Sequence, residues 1–227
     1  MLGIAIPLGA LLSLGFITQS TGLTHSTAAI TGFVTGLYVI FTPLLSAVFL
    51  KKVVTKIEWV AVLVATVGLG LLSLRGWAIG FGEFLTLLCA LFFALHIIGL
   101  GEWSSRFATY PLTVVQLGTV TIVTGITGFS NGYVAPPDSD VWKAILITAL
   151  FATSAGFLIQ TWAQSHMDAT SVAVILTLEV VFAALVAVIA GQEVLTARTL
   201  AGGTLIVFAM IAMQFNPKYY LSRFTRK

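Results

Sequence analysis

The feature that most restricts this chain is a series of eight apolar stretches. Each is long enough, or nearly so, to cross about 30 Å of hydrocarbon as an α-helix. Named spans A to H in chain order, they cover residues 2–20, 28–50, 57–74, 78–100, 111–129, 142–163, 170–190 and 199–215. The apolar residues run on without alternation, whereas a transmembrane strand needs short segments of alternating polarity. Only 8% of the 227 residues are charged and 58% are hydrophobic, against about 25% charged residues in a soluble domain. Such a chain cannot cover itself with polar surface in water, so the bilayer is its solvent. The expected fold is all-α and integral to the membrane, with eight transmembrane helices.

Composition narrows the function as well. A net charge of +3 is too small to point to nucleic acid. Cys89 is the sole cysteine, so an intramolecular disulfide and a cysteine-based zinc site are both excluded. Met1 is followed directly by apolar residues without a basic n-region, which argues against a removable signal peptide. No His-Glu-x-x-His, Walker loop or Gly-x-Ser-x-Gly occurs, and no cofactor or metal is expected.

Two signals place the span ends. All five tryptophans (Trp59, Trp77, Trp103, Trp142 and Trp162) stand at the start or end of a span, as an interfacial aromatic belt requires. Lysine and arginine are unevenly distributed. With both termini cytoplasmic, the inner side holds Lys51, Lys52, Lys56, Arg106, Lys218, Arg223, Arg226 and Lys227, and the outer side only Arg75, Lys143 and Arg198. The positive-inside rule favours this orientation in the cell membrane.

The chain also repeats. At an offset of 141 residues, segment 15–74 matches segment 156–215, with identical pairs at Gly15/Gly156, Phe16/Phe157, Gln19/Gln160, His25/His166, Ala28/Ala169, Leu37/Leu178 and Thr55/Thr196. Spans A–B–C thus correspond to F–G–H. Span F lies five helices after span A, an odd number, so the two copies are expected to be inverted in the membrane. Inverted repeats are a recurring plan of secondary transporters, with the substrate site where the repeats meet.

Three segments carry a family resemblance: GFITQSTGLTHSTAAITGFVTGLYVIFTPLLSAVFL in A–B, GFGEFLTLLCALFFALHIIGLGEWSSR in D, and SVAVILTLEVVFAALVAVIAGQEVLT in G. The last is similar to a Glu-Pro-Val-Phe-Ala-Ala-Leu helix followed by Gly-Glu-x-Leu-Thr. Together they resemble the drug/metabolite transporter superfamily in its EamA-like branch. The resemblance implies part of a ten-helix fold in two inverted halves that moves small metabolites, often outward. On that plan residues 1–74 form the last three helices of a first repeat, 78–215 a complete second repeat, and 216–227 a basic cytoplasmic tail. Nothing in this chain corresponds to the plan's first two helices. Val180 stands where the family has proline, and Tyr38 and Lys52 stand where the second repeat has Glu179 and Glu193.

Glu179 is the sharpest candidate for chemistry. It is the tenth residue of span G, near the midplane, where a charged side chain costs roughly 2.5–3.5 kcal/mol on insertion scales. No lysine or arginine lies in the middle of any span to offset it. Protonation, a hydrogen bond or His96 are its options, and its role is a substrate-amine or proton site or else a packing device. His96 lies deep in span D, where an imidazole suits either proton relay or a helix–helix bond. Gln19 and Gln160 match by repeat position and suit substrate orientation, capping or interhelical bonding. Tyr38 in span B and Gln116 in span E complete the candidates.

Other features read as structural. Glu83, in the first turn of span D, suits the helix dipole. His25 and His166 read as solvated loop residues, and Ser104-Ser105 between Glu102 and Arg106 as a solvated loop. Gly32-x-x-x-Gly36 reads as a helix contact, and Thr42-Pro43 predicts a bend in span B. The sequence favours a secondary transporter of a small molecule, driven by substrate or ion gradients such as protons. It leaves open a membrane-embedded enzyme on lipid-linked substrates, an inactive truncated remnant, and a homodimer. In a Cys89→Ala background, single cysteines at Lys52 and Asn131 are expected to react with impermeant maleimide from opposite sides of the membrane. Labelling of both from one side contradicts the topology.

Overall fold

The computed structural model describes residues 1–26, 28–73, 80–130, 132, 135–189, 191 and 196–214. Trp77, Arg75, Ala78, Asn131, Glu193 and the tail 216–227 lie outside the described residues. Among those described, all regular structure is helical. Span A is α1 (Leu2–Leu23), and span B divides into α2 (Ala28–Gly36) and α3 (Tyr38–Leu50). Span C is α4 (Lys56–Ser73), and span D is α5 (Phe81–Trp103), followed by a 3-10 turn at Ser104–Arg106. Span E is α6 (Thr109–Ser130). Span F runs as α7 (Ser139–Ile147), a π-helical stretch (Thr148–Ala155) and α8 (Gly156–Gln164). Span G divides into α9 (Ala169–Leu176) and α10 (Leu178–Ile189), and span H is α11 (Ala197–Gln214).

Six described segments are long and apolar enough to cross a membrane: Leu2–Leu23, Ile30–Leu50, Phe81–Arg106, Thr109–Ser130, Ser139–Gln164 and Ala169–Val186. They are spans A, B, D, E, F and G. Spans C and H form helices of 18 residues each, and the apolar part of α11, Ala197–Ala212, falls below that length. The chain is a multi-pass helical membrane protein.

Helix ends follow local chemistry. The Glu83 carboxylate accepts the Gly80 N–H at 2.8 Å, closing the start of α5. Asp138 accepts from the backbone of Asp140 and Val141 ahead of α7, and Asp168 accepts the Ser171 N–H at 2.9 Å ahead of α9. Each satisfies amide donors that the first helical turn leaves bare. Lys51 ends α3 in the left-handed conformation, at φ 52°.

The break in span B corrects the expected bend. Pro43 lies inside α3, and the interruption is upstream at Leu37. There the Leu37 N–H donates to Val34 O at 3.2 Å and the Ile40 N–H to Leu37 O at 2.9 Å. These are three-residue bonds where an α-helix makes four-residue bonds. The carbonyl that the Pro43 ring crowds, one turn before it, is that of Val39 inside α3, so the proline does not set the break at Leu37. Span G breaks the same way without a proline. The Thr177 N–H donates to Val174 O at 3.2 Å and the Val180 N–H to Thr177 O at 3.2 Å.

Helix α5 is the hub, packed by α1, α2, α3, α8 and α9 and tied to α6 through the His96–Gln116 hydrogen bond. Glycines set the spacing along α1. A Cβ at Gly22 would lie 2.6 Å from Thr86 Oγ1 and 2.9 Å from the Gly82 carbonyl at the start of α5. A Cβ at Gly15 would lie 2.2 Å from the Phe93 ring. Leu8 meets Gly99 near the other end of α5, so α1 and α5 are antiparallel. A second pair, α4 and α11, is antiparallel too: the Arg198 guanidinium, at the start of α11, donates to Leu71 O at 2.7 Å and Gly70 O at 3.2 Å near the end of α4. One apolar cluster joins Tyr38, Val62, Ile97, Val174 and Ile206 across α3, α4, α5, α9 and α11. Gly36 packs on Leu69, whereas a Cβ at Gly32 would meet nothing within 4 Å, so only half of the Gly32/Gly36 pair serves as a helix contact.

Backbone contact at Gly22 leaves no room for a methyl group, and overpacking of this kind costs about 1–3 kcal/mol. Gly22→Ala is therefore expected to lower the thermal midpoint in detergent. Gly118→Ala, where an added Cβ would meet nothing within 4 Å, should leave it within roughly 0.5 kcal/mol of wild type. Equal effects would contradict the packing.

Candidate functional site

Two of the sequence candidates form one buried pair. His96, 2% exposed on α5, shares a 2.9 Å hydrogen bond between its Nε2 and Gln116 Oε1 on α6. The Gln116 amide nitrogen donates to Leu112 O at 3.1 Å. An amide oxygen only accepts, so the His96 Nε2 carries the proton and the imidazole is held as one tautomer. Glu179 takes no part in this pair.

The two matched glutamines have different partners. Gln19 Nε2 donates to Thr35 Oγ1 at 3.2 Å, joining α1 to α2. It is an interhelical bond, and α1 runs on past Gln19 to Leu23, so Gln19 caps nothing. Gln160 Nε2 donates to Gln164 Oε1 at 3.1 Å. Gln164 in turn donates to Ile97 O at 2.6 Å and is 2% exposed. Sequence reading passed over Gln164. The available signal was its i,i+4 spacing from Gln160, which places both amides on one helix face.

An aromatic group lies beside these amides. Phe16 meets Phe93 with ring centroids 5.6 Å apart and Phe157 at 6.1 Å, both edge to face. Phe157 also meets the His96 ring at 6.1 Å. Phe16 and Phe157 are a matched repeat pair, so α1 and α8 touch through equivalent side chains. Cys89, fully buried, sits against the Thr18 and Thr35 hydroxyls.

Tyr38 and Glu179, also a matched pair, each occupy the first turn of the half-helix after a break. Tyr38 is 8% exposed, and Glu179 lies within electrostatic range of its phenol. Glu179 itself is exposed, on a stripe of α10 with Phe182 and Val186. Its neighbours Val180 and Val181 turn the opposite way, onto the apolar cluster.

The polar ends are more ordered than a solvated loop. Lys52 Nζ meets Glu102 Oε2 at 2.8 Å, and Arg106 stands 3.8 Å from the other Glu102 oxygen. Ser104 is buried beside them. At the opposite end of α5 the Ser26 hydroxyl donates to the Glu83 carboxylate at 2.5 Å. His25 and His166 are exposed.

The description "EamA-like transporter family" matches residues 80–214, more than half of the chain. The chain belongs to the EamA-like transporter family. Within it the chain is 36% identical over 200 residues to an uncharacterized transporter of Archaeoglobus fulgidus, covering 87% of this chain and 64% of the relative. It is 34% identical over 132 residues to the pseudopaline exporter CntI of Pseudomonas aeruginosa, covering 58% of this chain and 46% of that exporter. This EamA-like chain therefore spans less than two thirds of the length of these relatives. A solved crystal structure at 14% identity superposes with a TM-score of 0.77 over 100% of this chain and 89% of that one, a likeness of fold.

Gln116→Leu would leave the His96 N–H buried without an acceptor, a loss of about 1–3 kcal/mol. The double substitution His96→Leu/Gln116→Leu removes both partners and is expected to recover part of that loss. Thermal unfolding in detergent checks this, and additive losses would show that the two side chains are independent.

Proposed function

We propose that this EamA-like chain forms the translocation path of a secondary transporter that exports a small organic metabolite. It works by alternating access between inverted halves, residues 1–74 and 78–215. The observation that carries the reading is the pair of broken helices. Spans B and G are interrupted at Leu37 and Thr177 by the same two three-residue hydrogen bonds. The two breaks differ by one residue from the repeat register. Secondary transporters commonly build substrate and ion sites at discontinuous helices near the midplane, where half-helix ends present uncompensated backbone dipoles.

Further support comes from the contact of the matched pair Phe16 and Phe157 and from the matched helices α4 and α11 running antiparallel. Glu179 is then the acid at the head of α10, binding a proton or a substrate amine on the exposed face that it shares with Phe182 and Val186. Tyr38 stands opposite, and His96, Gln116, Gln19 and Gln160 line or support the route. Outward movement is suggested by the exporter CntI. With no ATP motif, the energy comes from an ion or substrate gradient, here assigned to protons. The protein sits in the cell membrane with its termini in the cytoplasm, and a homodimer is compatible with it.

One observation favours a second reading. No residue of α7 or of the π-helical stretch is buried, so one side of the path has no wall. On this reading the chain moves solute only when another protein, or another copy, covers that face.

In vesicles reconstituted with the chain, Glu179→Gln keeps size and hydrogen bonding while removing titration. It is expected to leave the protein folded and to abolish flux coupled to a pH gradient. Full flux with unchanged pH dependence would reduce Glu179 to a packing residue. Absence of flux from the wild-type chain alone would favour the second reading.

A further inference from the structure

Span F is sealed unevenly. Between Ser139 and Ala155 none of its residues is buried, whereas in α8 Thr161 and Gln164 are almost completely enclosed. The seal begins where the π-helical stretch ends. Phe157, Gln160, Thr161 and Gln164 are spaced three, one and three residues apart and share one face of α8. Phe157 lies on the His96 and Phe16 rings. Two turns later Gln164 donates to Ile97 O at 2.6 Å, one residue past His96. A Cβ at Gly101, the next turn of α5, would stand 3.5 Å from Gln164 Nε2 and 3.2 Å from the Ala169 Cβ. Gly101 adjoins Glu102, so this seal lies at the Lys52–Glu102 end of the molecule.

We infer that Gln164 is a positioning residue, a hydrogen-bond latch that closes the path between α8 and α5 at the Lys52–Glu102 end and must release for that end to open. The inference rests on the reading that the path runs between these helices. Three features suit a latch rather than a fixed strut. Ile97 O lies inside a helix and offers its second lone pair, so breaking the bond exposes no orphan acceptor. The bond joins neutral groups, which makes it weaker than a charge-assisted one and easier to break in each cycle. The Gln164 amide is also fixed in orientation. Gln160 donates to its oxygen at 3.1 Å, so rotation of the amide would set oxygen against the Ile97 carbonyl and nitrogen against the Gln160 nitrogen. Its NH2 therefore stays aimed at α5. The π-helical stretch directly above is the place where span F can bend, because π segments disturb the regular bonding ladder.

The test uses spin labels on the full chain in lipid, in a Cys89→Ala background. One label pair is Ser105 and His166, both exposed at the latched end. The other is Thr24 and Val141, both exposed and well removed from the latch. Loss of one neutral hydrogen bond is expected to raise the population open at the latched end roughly fivefold. Gln164→Leu should therefore add a longer Ser105–His166 distance and shorten the Thr24–Val141 distance. Unchanged distances in a folded variant overturn the proposal. So does equal broadening at both ends with a lowered thermal midpoint, which is general loosening.

A second arm holds if Gln164→Leu does not fold. Cysteines replacing Gly101 and Ala169 have Cβ positions near enough to bridge after a small shift. The oxidised pair should confine the Ser105–His166 pair, labelled through thioether links after oxidation, to its short distance, and reductant, which leaves such labels in place, should restore the minor longer one. Identical distributions in the two redox states would overturn the latch. The same result read alongside intact proton-coupled flux would leave the transport proposal standing.

Discussion

The structure depends on the fate of backbone N–H and C=O groups in a medium without water. Each unsatisfied group in hydrocarbon costs several kcal/mol, so the chain must close its own hydrogen bonds. That constraint makes every described element helical. It also makes each departure from the α pattern informative, because a departure has to be repaired locally. At Leu37 and Thr177 the repair is a pair of three-residue bonds. At Thr177 the side-chain hydroxyl adds a bond to Val174 O at 2.6 Å. In the π-helical stretch of span F the Ser154 hydroxyl reaches back five residues to Ala149 O at 2.8 Å.

Among the described residues most buried polar side chains obey the same rule, the hydroxyls of Thr31 and Ser104 excepted. His96, Gln116 and Gln164 are buried and each is hydrogen-bonded, two of them to the backbone of a helix. Threonine hydroxyls along α6 return to carbonyls one turn earlier, as at Thr113, Thr119 and Thr124. Such bonds need no partner helix, which is why α6 can carry many threonines on faces that other helices leave open. Where side chains do cross between described helices, they join α1 to α2, α5 to α6, α8 to α5 and α11 to α4. These crossings hold α1, α2, α5 and α6 together and, with the Phe157 ring contacts, bring α8 against them.

Close backbone approach supplies the rest. Helices in lipid gain little from burying apolar side chains against one another, since the lipid is equally apolar. Packing contact and small residues matter more. Gly15 and Gly22 let α1 lie directly on α5, and Gly68 lets α4 approach the Gly202 carbonyl of α11 at the 2.8 Å a Cβ would have. The same residue type has no such role at Gly118, Gly125 and Gly128, where an added Cβ would meet nothing within 4 Å. Glycine alone therefore does not mark a contact.

Much of this protein was legible in the sequence. Span length and continuous hydropathy determined a helical multi-pass membrane protein, because crossing hydrocarbon leaves few backbone options. The order of motifs pointed to the EamA-like family, and one repeat register paired Phe16 with Phe157 and Tyr38 with Glu179 before any contact was known. Local chemistry also determined the start of α5, since Glu83 closes it within one turn. What the sequence could not determine was which polar groups meet. His96 found Gln116 rather than Glu179, Glu102 took Lys52 from another loop, and Gln164 reached a backbone carbonyl that carries no sequence signature. The break in span B fell at Leu37 although Pro43 was the visible cue. Those outcomes depend on helix rotation and on the crossing of segments far apart in the chain, and a side chain's partner across a helix interface is set by that geometry, not by its own neighbours in sequence.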